Sequence, residues 1–302
     1  MRSGLGRLVN FHNENGLELI GILFESNTTT SSDNDTIVIH VHGNYGNFYN
    51  NKFIWVMSTQ YINNGIDFLS FNLSAHDGLC EGYDNGILRY IGGAVSDYNE
   101  SILDIDAVIK YVEYLGYRRV ILQGHSLGCD KIIDFLMLHP EKNNELILLS
   151  PVDSFAVQEK WLNAHKNESV GEQIKRLKNI ETTTNKLEWL PIDEYGAEGA
   201  NTDWIYKIPI TRKCLISILE GSAFRYLNLI SGEKFNIKNR AFAFLGANDG
   251  LQMSTQSAFK AFLNKHFDDI YVVDDLVSDH DIKGVERELT ARIIDWIGNI
   301  IV

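Results

Sequence analysis

The chain has 302 residues, of which 44% are hydrophobic and 22% are charged, as is typical of a globular protein with a large core. Its formal net charge of −13 disfavours nucleic acid and anionic membranes as partners. No apolar run approaches the roughly 20 residues of a membrane span, and residues 1–10 lack the apolar centre of a signal peptide. Three widely spaced cysteines, Cys80, Cys129 and Cys214, predict reduced thiols in a cytoplasmic protein without a metal-binding cysteine motif.

The first half of the chain shows apolar patterns of alternating strands and helices. The segment 97–115, for example, carries apolar residues at helical spacing. The predicted elements are a hairpin (7–11 and 17–24), a polar loop (27–35), a strand (36–41), a helix (53–62), a strand (66–72), a glycine- and aspartate-rich excursion (74–93), a helix (97–115), a strand (120–122) and a helix (129–139).

The alternation stops after a strand predicted over 146–149 and resumes near residue 241. Between them, residues 154–239 are predicted to be mostly helical and amphipathic. The remaining predicted elements are a strand (241–245), a helix (255–263), a strand (270–273) and a closing helix (282–301). This order predicts a mostly parallel sheet with helices on both faces. We expect residues 1–151 and 239–302 to form its core, with residues 152–238 as a helical cap over the strand ends, where ligands bind in such sheets.

The most informative segment covers residues 118–130 and reads RRVILQGHSLGCD. It predicts a strand, a sharp turn and a helix, with Ser126 at the apex of the turn. Because Gly124 and Gly128 lack a Cβ, strand and helix can pass close together, and Ser126 is held in a strained conformation that exposes its hydroxyl. We predict that Ser126 is a nucleophile; the alternative is a glycine-rich turn with an exposed serine. Cys129 is predicted to be a small buried core residue.

A serine hydroxyl needs a base, and His280 is the candidate among nine histidines. It lies in a loop between the last strand and the last helix, as the chain order serine, acid, histidine requires. His125, within the turn, is predicted to point away from this base. Asp249 follows a strand, 31 residues (280 − 249) before His280, and is the predicted acid that orients the imidazole. Asp153 is the alternative acid, and Asp249 with Gly250 also fits a simple turn.

Acyl transfer further requires N–H donors for a developing oxyanion. The backbone N–H of Leu127, next to the nucleophile, is the first predicted donor. The second is expected in the loop after His42 and Gly43, from Asn44 or, as second choice, Tyr45. The absence of a side chain at Gly43 allows the backbone to approach a substrate closely.

Taken together, these residues resemble the α/β-hydrolase superfamily over nearly the whole chain. The resemblance is carried by four segments, His42-Gly43-Asn44, Gly124 to Gly128, Gly246 to Asp249, and His280. Within that superfamily, four further segments are similar to the group that includes fungal siderophore (fusarinine-type) ester hydrolases: 41–46, 104–128, 150–152 and 209–211. The resemblance implies the α/β-hydrolase fold and a two-step mechanism through an acyl-enzyme on Ser126.

The leading hypothesis is a serine hydrolase that cleaves an ester, amide or thioester of a small or medium molecule without a metal or organic cofactor. The alternatives are an acyltransferase or cyclase with the same triad, and a non-catalytic ligand-binding protein. The cap is expected to set substrate choice, with the loop 75–93 as a second candidate for the pocket wall. Its acidic residues, Asp77, Glu81 and Asp84, favour either a cationic substrate or a solvated loop. Asp274, Asp275, Asp279 and Asp281 are predicted to be solvated loop charges.

Overall fold

The computed structural model of the protein describes residues 6–26, 35–181, 187–198, 205–224, 236–251 and 256–299. Twelve strands lie in this part of the chain: β1 Arg7–His12, β2 Glu18–Phe24, β3 Thr36–Val41, β4 Asp67–Phe71, β5 Cys80–Asp84, β6 Ile87–Ile91, β7 Arg119–His125, β8 Glu145–Leu149, β9 Gly196–Glu198, β10 Ile205–Lys207, β11 Ala241–Phe244 and β12 Ile270–Val273. The helices are α1 Lys52–Asn63, α2 Glu100–Tyr114, α3 Leu127–Leu138, α4 Ser154–His165, α5 Val170–Lys178, α6 Arg212–Gly221, α7 Gln256–His266 and α8 Glu286–Gly298.

Eight of these strands form one sheet in the order β1-β2-β4-β3-β7-β8-β11-β12. The β1-β2 and β2-β4 pairs are antiparallel, and every pair from β4 to β12 is parallel. The carboxyl ends of the parallel strands therefore meet at one edge of the sheet. The predicted site segments leave the sheet along this edge, because they follow β3, β7, β11 and β12 in the chain.

The central strands β3, β4, β7, β8 and β11 are buried along nearly their whole length, because helices cover both faces of the sheet. Along β3, Ile37 and Ile39 contribute to a core cluster with α2, α3 and α7, whereas Val38 contributes to a cluster with α1 and α8. Successive side chains of a strand point to opposite faces, so one unbroken apolar run serves both clusters. The edge strand β1 instead alternates between exposed and buried residues. The predicted mostly parallel sheet with helices on both faces is confirmed.

Two hairpins were not predicted. One, formed by β5 and β6, lies within the excursion predicted over 74–93, and the other, formed by β9 and β10, lies within the segment predicted to be mostly helical. The described part of that segment also contains α4, α5 and α6. The core-and-cap division at residues 152 and 238 stays a prediction.

The remaining differences concern the ends of elements. The closing helix begins at Glu286 rather than 282, because Ile282 and Gly284 adopt positive φ angles that a right-handed helix does not accommodate. Residues 300–301 of that prediction, and 27–34 of the predicted loop, lie outside the described residues. Among the described residues, no helix is long and apolar enough to cross a membrane.

Candidate active site

The turn between β7 and α3 holds Ser126 at φ 54° and ψ −129°, a strained conformation for a non-glycine residue. The glycines around it are required by packing. A Cβ added at Gly124 would lie 2.6 Å from the backbone nitrogen of Cys129, and one added at Gly128 would meet the carbonyl oxygen of Val41. Cys129 is buried, as predicted. The local geometry is thus the one expected of a turn that presents a serine hydroxyl.

The predicted acid and base are in direct contact. His280 Nδ1 lies 2.9 Å from Asp249 Oδ2, with the Asp249 side chain fully buried and the His280 side chain 18% exposed. The other Asp249 oxygen accepts the backbone N–H of Leu251 at 3.0 Å. The alternative acid, Asp153, instead caps α4 by accepting the N–H of Ala156 at 2.9 Å. The structure therefore brings Asp249 rather than Asp153 to the imidazole.

Two opposing effects act on the pKa of His280. Burial lowers this pKa, whereas the charge and hydrogen bond of Asp249, together with the charges of Asp281 and Asp279, raise it. The raising effects are larger in sum, so the pKa lies above its usual value of 6.5. With Nδ1–H donated to Asp249, Nε2 is the nitrogen available to exchange a proton with a substrate.

The prediction that His125 points away from the base is wrong. Its Nε2 lies 2.8 Å from the carbonyl oxygen of His280, and the two imidazole rings are 5.0 Å apart. Burial lowers the pKa of His125 to about 3, so the ring stays neutral and donates Nε2–H to that carbonyl. His125 thus fixes the backbone of the loop that carries His280. The two residues are 155 apart in the sequence, too far for a local pattern to reveal the contact.

The loop after β3 packs directly against the turn at Ser126. A Cβ added at Gly43 would lie 2.8 Å from the Cβ of Ser126, so this close approach needs glycine. His42 is buried, and its Nε2 accepts the N–H of Leu73 at 3.1 Å. Its Nδ1–H therefore donates to the Gly43 carbonyl oxygen, 2.9 Å away. Burial holds the pKa of His42 well below its usual value, which keeps this pattern of donors intact.

The two predicted oxyanion donors, the N–H groups of Asn44 and Leu127, belong to residues that line a cavity beside Ser126. Asn44 and Leu127 both line this cavity, and neither backbone N–H donates to another group in the described part of the chain. The Gly43 carbonyl is held by His42 and also accepts the N–H of Gly46 at 3.3 Å. Because a trans peptide bond is planar, fixing this carbonyl also fixes the opposite direction of the Asn44 N–H. Tyr45, the second choice, has φ 56° and donates its hydroxyl to the carbonyl oxygen of Pro209.

The cavity has a volume of about 610 Å³, and both Ser126 and His280 line it. No hydrogen bond joins the Ser126 hydroxyl to His280 among the described residues, a looseness common in catalytic sites before substrate binds. An apolar cluster forms part of the wall and consists of Val152, Val157, Ala197 and Leu251. Tyr195 and Ile208, on either side of the β9-β10 hairpin, also line the cavity. These two wall residues are not evident from the sequence, since nothing in their short, mixed segment indicates a hairpin.

The acidic wall of the cavity lies elsewhere than predicted. No residue of the loop 75–93 lines the cavity. Gly78 and Gly93 of that loop instead pack against the ring of Tyr45. Asp279 and Asp281, predicted to be solvated loop charges, are exposed and line the cavity on either side of His280.

The comparisons with known proteins agree with this architecture. The esterase Est1E from Butyrivibrio proteoclasticus, with ferulic acid bound, superposes with a TM-score of 0.63 at 13% identity, over 95% of this chain and 97% of that chain. The Pyrococcus furiosus esterase Pf2001 gives a TM-score of 0.60 at 16% identity, over 98% and 91%. Mouse α/β hydrolase domain-containing protein 10 gives 0.60 at 18% identity, over 97% and 99%. No family profile and no curated protein matches the sequence.

The chain has the α/β-hydrolase fold, as the sequence resemblance implied. At these identities the likeness establishes the fold alone. The narrower resemblance to the fusarinine-type siderophore ester hydrolases stays a prediction.

Proposed function

We propose that the protein is a serine hydrolase that cleaves an ester, amide or thioester of a small or medium molecule. The observation that carries this proposal is the 2.9 Å hydrogen bond between Asp249 and His280, on a cavity whose wall also includes Ser126 at a strained positive φ. Nucleophile, base and orienting acid are the three groups that this reaction needs. The esterases among the structural neighbours agree with it.

In the first step, the Ser126 oxygen bonds to the substrate carbonyl carbon while the hydroxyl proton passes to His280 Nε2. The N–H groups of Asn44 and Leu127 stabilise the oxyanion that forms. The bond to the leaving group then breaks, and the leaving atom takes the proton from His280, which gives an acyl-enzyme. A water molecule attacks the acyl-enzyme through the same base, and the carboxylic acid leaves with Ser126 restored.

We further propose that residues 152–238 act as a cap that sets substrate choice. Val157, Tyr195, Ala197 and Ile208 of this segment line the cavity. An apolar wall favours apolar acyl groups, because their transfer from water releases about 25 cal/mol per Å² of surface buried. The ferulic acid bound to Est1E supports a small molecule as substrate.

The test is covalent labelling with a fluorophosphonate, followed by intact mass measurement and an ester hydrolysis assay. We expect one adduct on the native chain and none on Ser126→Ala. Ser154→Ala is the matched control, because Ser154 is a second serine on the cavity wall; this variant should keep the adduct. Labelling that survives in Ser126→Ala, or a native chain that neither reacts nor hydrolyses esters, would reject the proposal.

A further inference from the structure

The fixed charges on the cavity wall have one sign. Asp279 and Asp281 are negative, and no lysine or arginine lines the cavity among the described residues. A bound substrate therefore meets carboxylates without a compensating basic side chain in this described wall.

The position of these carboxylates relates them to one part of the substrate. In the proposed reaction His280 Nε2 gives its proton to the leaving atom, so that atom lies within hydrogen-bond reach of the imidazole. Asp279 and Asp281 are the chain neighbours of His280 and line the same cavity. The acyl carbonyl oxygen, in contrast, faces the N–H groups of Asn44 and Leu127. The leaving group, rather than the acyl group, thus lies beside the two carboxylates.

The two carboxylates differ in what they contact. Asp279 Oδ1 accepts the backbone N–H groups of Asp281 and Lys283, each at 3.1 Å, and so shapes the loop. The Asp281 carboxylate forms no hydrogen bond or ion pair in the described part of the chain, not even with nearby Lys283. Asp281 is therefore the carboxylate whose oxygens form no hydrogen bond in the described part of the chain, and its charge, which acts on His280, also reaches a leaving group beside that imidazole.

We propose that Asp281 makes the cavity selective for esters with a positively charged leaving group over those with a neutral or anionic one, a specificity that rests on the proposed hydrolase function. Both acids are exposed, so each acts through a high dielectric and each effect is modest. Carboxylates that lie within a Debye length of a bound leaving group change kcat/KM by about three- to tenfold for each unit of charge on that group. The change is smaller at high salt.

The experiment uses the full chain and three esters of one small apolar acid. The first alcohol is choline, the second is its neutral isostere with tert-butyl in place of trimethylammonium, and the third carries a carboxylate. At about 20 mM salt we expect kcat/KM to fall by about three- to tenfold from the choline ester to the neutral ester, and again from the neutral to the anionic ester. At about 500 mM salt both of these kcat/KM ratios should approach one. Equal rates for the three esters at low salt overturn the charge selectivity but leave the hydrolase function standing.

Variants of Asp281 assign the effect to this residue. Asp281→Asn should lower the choline-to-isostere ratio by about three-fold, and Asp281→Lys should bring it to one or below. Asp295→Asn, an exposed change near the carboxyl end of α8, is the matched control and should leave the ratio unchanged. A ratio that stays unchanged in both Asp281 variants overturns the role of Asp281. Failure of every ester, together with no fluorophosphonate adduct, rejects the hydrolase function and with it this inference.

Discussion

The hydrogen bond between Asp249 and His280 is the contact whose removal tests the site most directly. In Asp249→Asn the amide has nearly the same shape as the carboxylate but no charge. The single oxygen of the amide is then needed by the N–H of Leu251, so the NH2 group faces His280 Nδ1. This favours the tautomer with the proton on Nε2, which cannot accept the proton of Ser126. We expect kcat to fall by about 10³- to 10⁴-fold while the fold is retained.

The magnitude follows from the geometry. The imidazolium that forms during the reaction lies against a fully buried carboxylate, with 2.9 Å between the bonded atoms. Two unit charges about 4 Å apart attract by about 4 kcal/mol at an effective dielectric of about 20. At about 1.4 kcal/mol for each factor of ten, losing this attraction costs about 10³-fold in rate. Loss of the correct tautomer adds to this charge effect.

The assay is the pH dependence of kcat/KM for a neutral ester. His280 acts as a base only when neutral, so the native activity should rise with pH through a pKa above 6.5. Asn at position 249 removes the largest effect that raises this pKa, whereas burial still lowers it. The acid limb of the variant's residual activity should therefore move to lower pH.

Asp153→Asn is the control, because Asp153 is the alternative acid by chain position and caps α4 instead. It should keep kcat within about two-fold, since an asparagine oxygen also accepts the N–H of Ala156. Loss of turnover in Asp153→Asn but not in Asp249→Asn would instead assign the orienting acid to Asp153. An acid limb of Asp249→Asn that stays in place or moves to higher pH would show that Asp249 does not raise the pKa of His280.

Further predictions concern packing, pH and specificity. Gly124→Ala should lower the free energy of unfolding in urea by at least about 1–3 kcal/mol, because the added Cβ would meet fixed backbone atoms. Gly171→Ala is the control: the added Cβ lies in open space on α5, so this variant should raise the free energy of unfolding by about 0.5–1 kcal/mol. Burial raises the pKa of Asp153 from 3.8 to about 7, so the folded chain holds an extra proton between these values and its stability falls as pH rises through them. Asp153→Asn should remove that loss and gain about 2–4 kcal/mol at pH about 8 but little at pH about 4, as unfolding at both pH values will show. Val157→Phe should fill the apolar wall and shift the kcat/KM optimum of an ester series to shorter acyl chains; an unchanged optimum would exclude this wall as the acyl site.

The elements that the sequence predicts best are short apolar runs bounded by polar residues, whether the strand is buried as in β3 or lies at the sheet edge as in β12. The bounds of strands β3 and β12 agree with prediction to the residue. In a chain where strands alternate with helices, a short apolar run bounded by polar residues indicates a strand and also marks its ends. The hairpin of β5 and β6 was missed because its first strand, CEGYD, carries two acids and a glycine. This strand also contacts a distant part of the chain, since Gly82 packs against Leu17 and Asp84 forms a β-bridge with it.

Some residues of the candidate site are likewise predictable from the sequence, whereas others depend on distant contacts. Ser126, Asp249 and His280 were predictable because each follows a strand in a fixed chain order, which the sheet then converts into proximity. The contact of His125 with the His280 carbonyl depends on the fold as a whole, and so does the position of Tyr195 on the cavity wall. The position of Asp281 on the cavity wall was equally hidden, because the sequence of an acidic loop does not show which cavity the loop borders.

The positive φ angles of the chain have a consequence for its behaviour on heating. Five non-glycine residues with such angles lie in segments that follow the parallel strands: Tyr45, Asp77, Ser126, Ser150 and Ile282. Each costs on the order of 1–3 kcal/mol and persists only while its surroundings hold it. The strain is thus concentrated at the edge that carries the candidate site, while the sheet interior is free of it in the described residues. Heat should therefore inactivate the protein reversibly by loosening this edge, several degrees before the sheet melts.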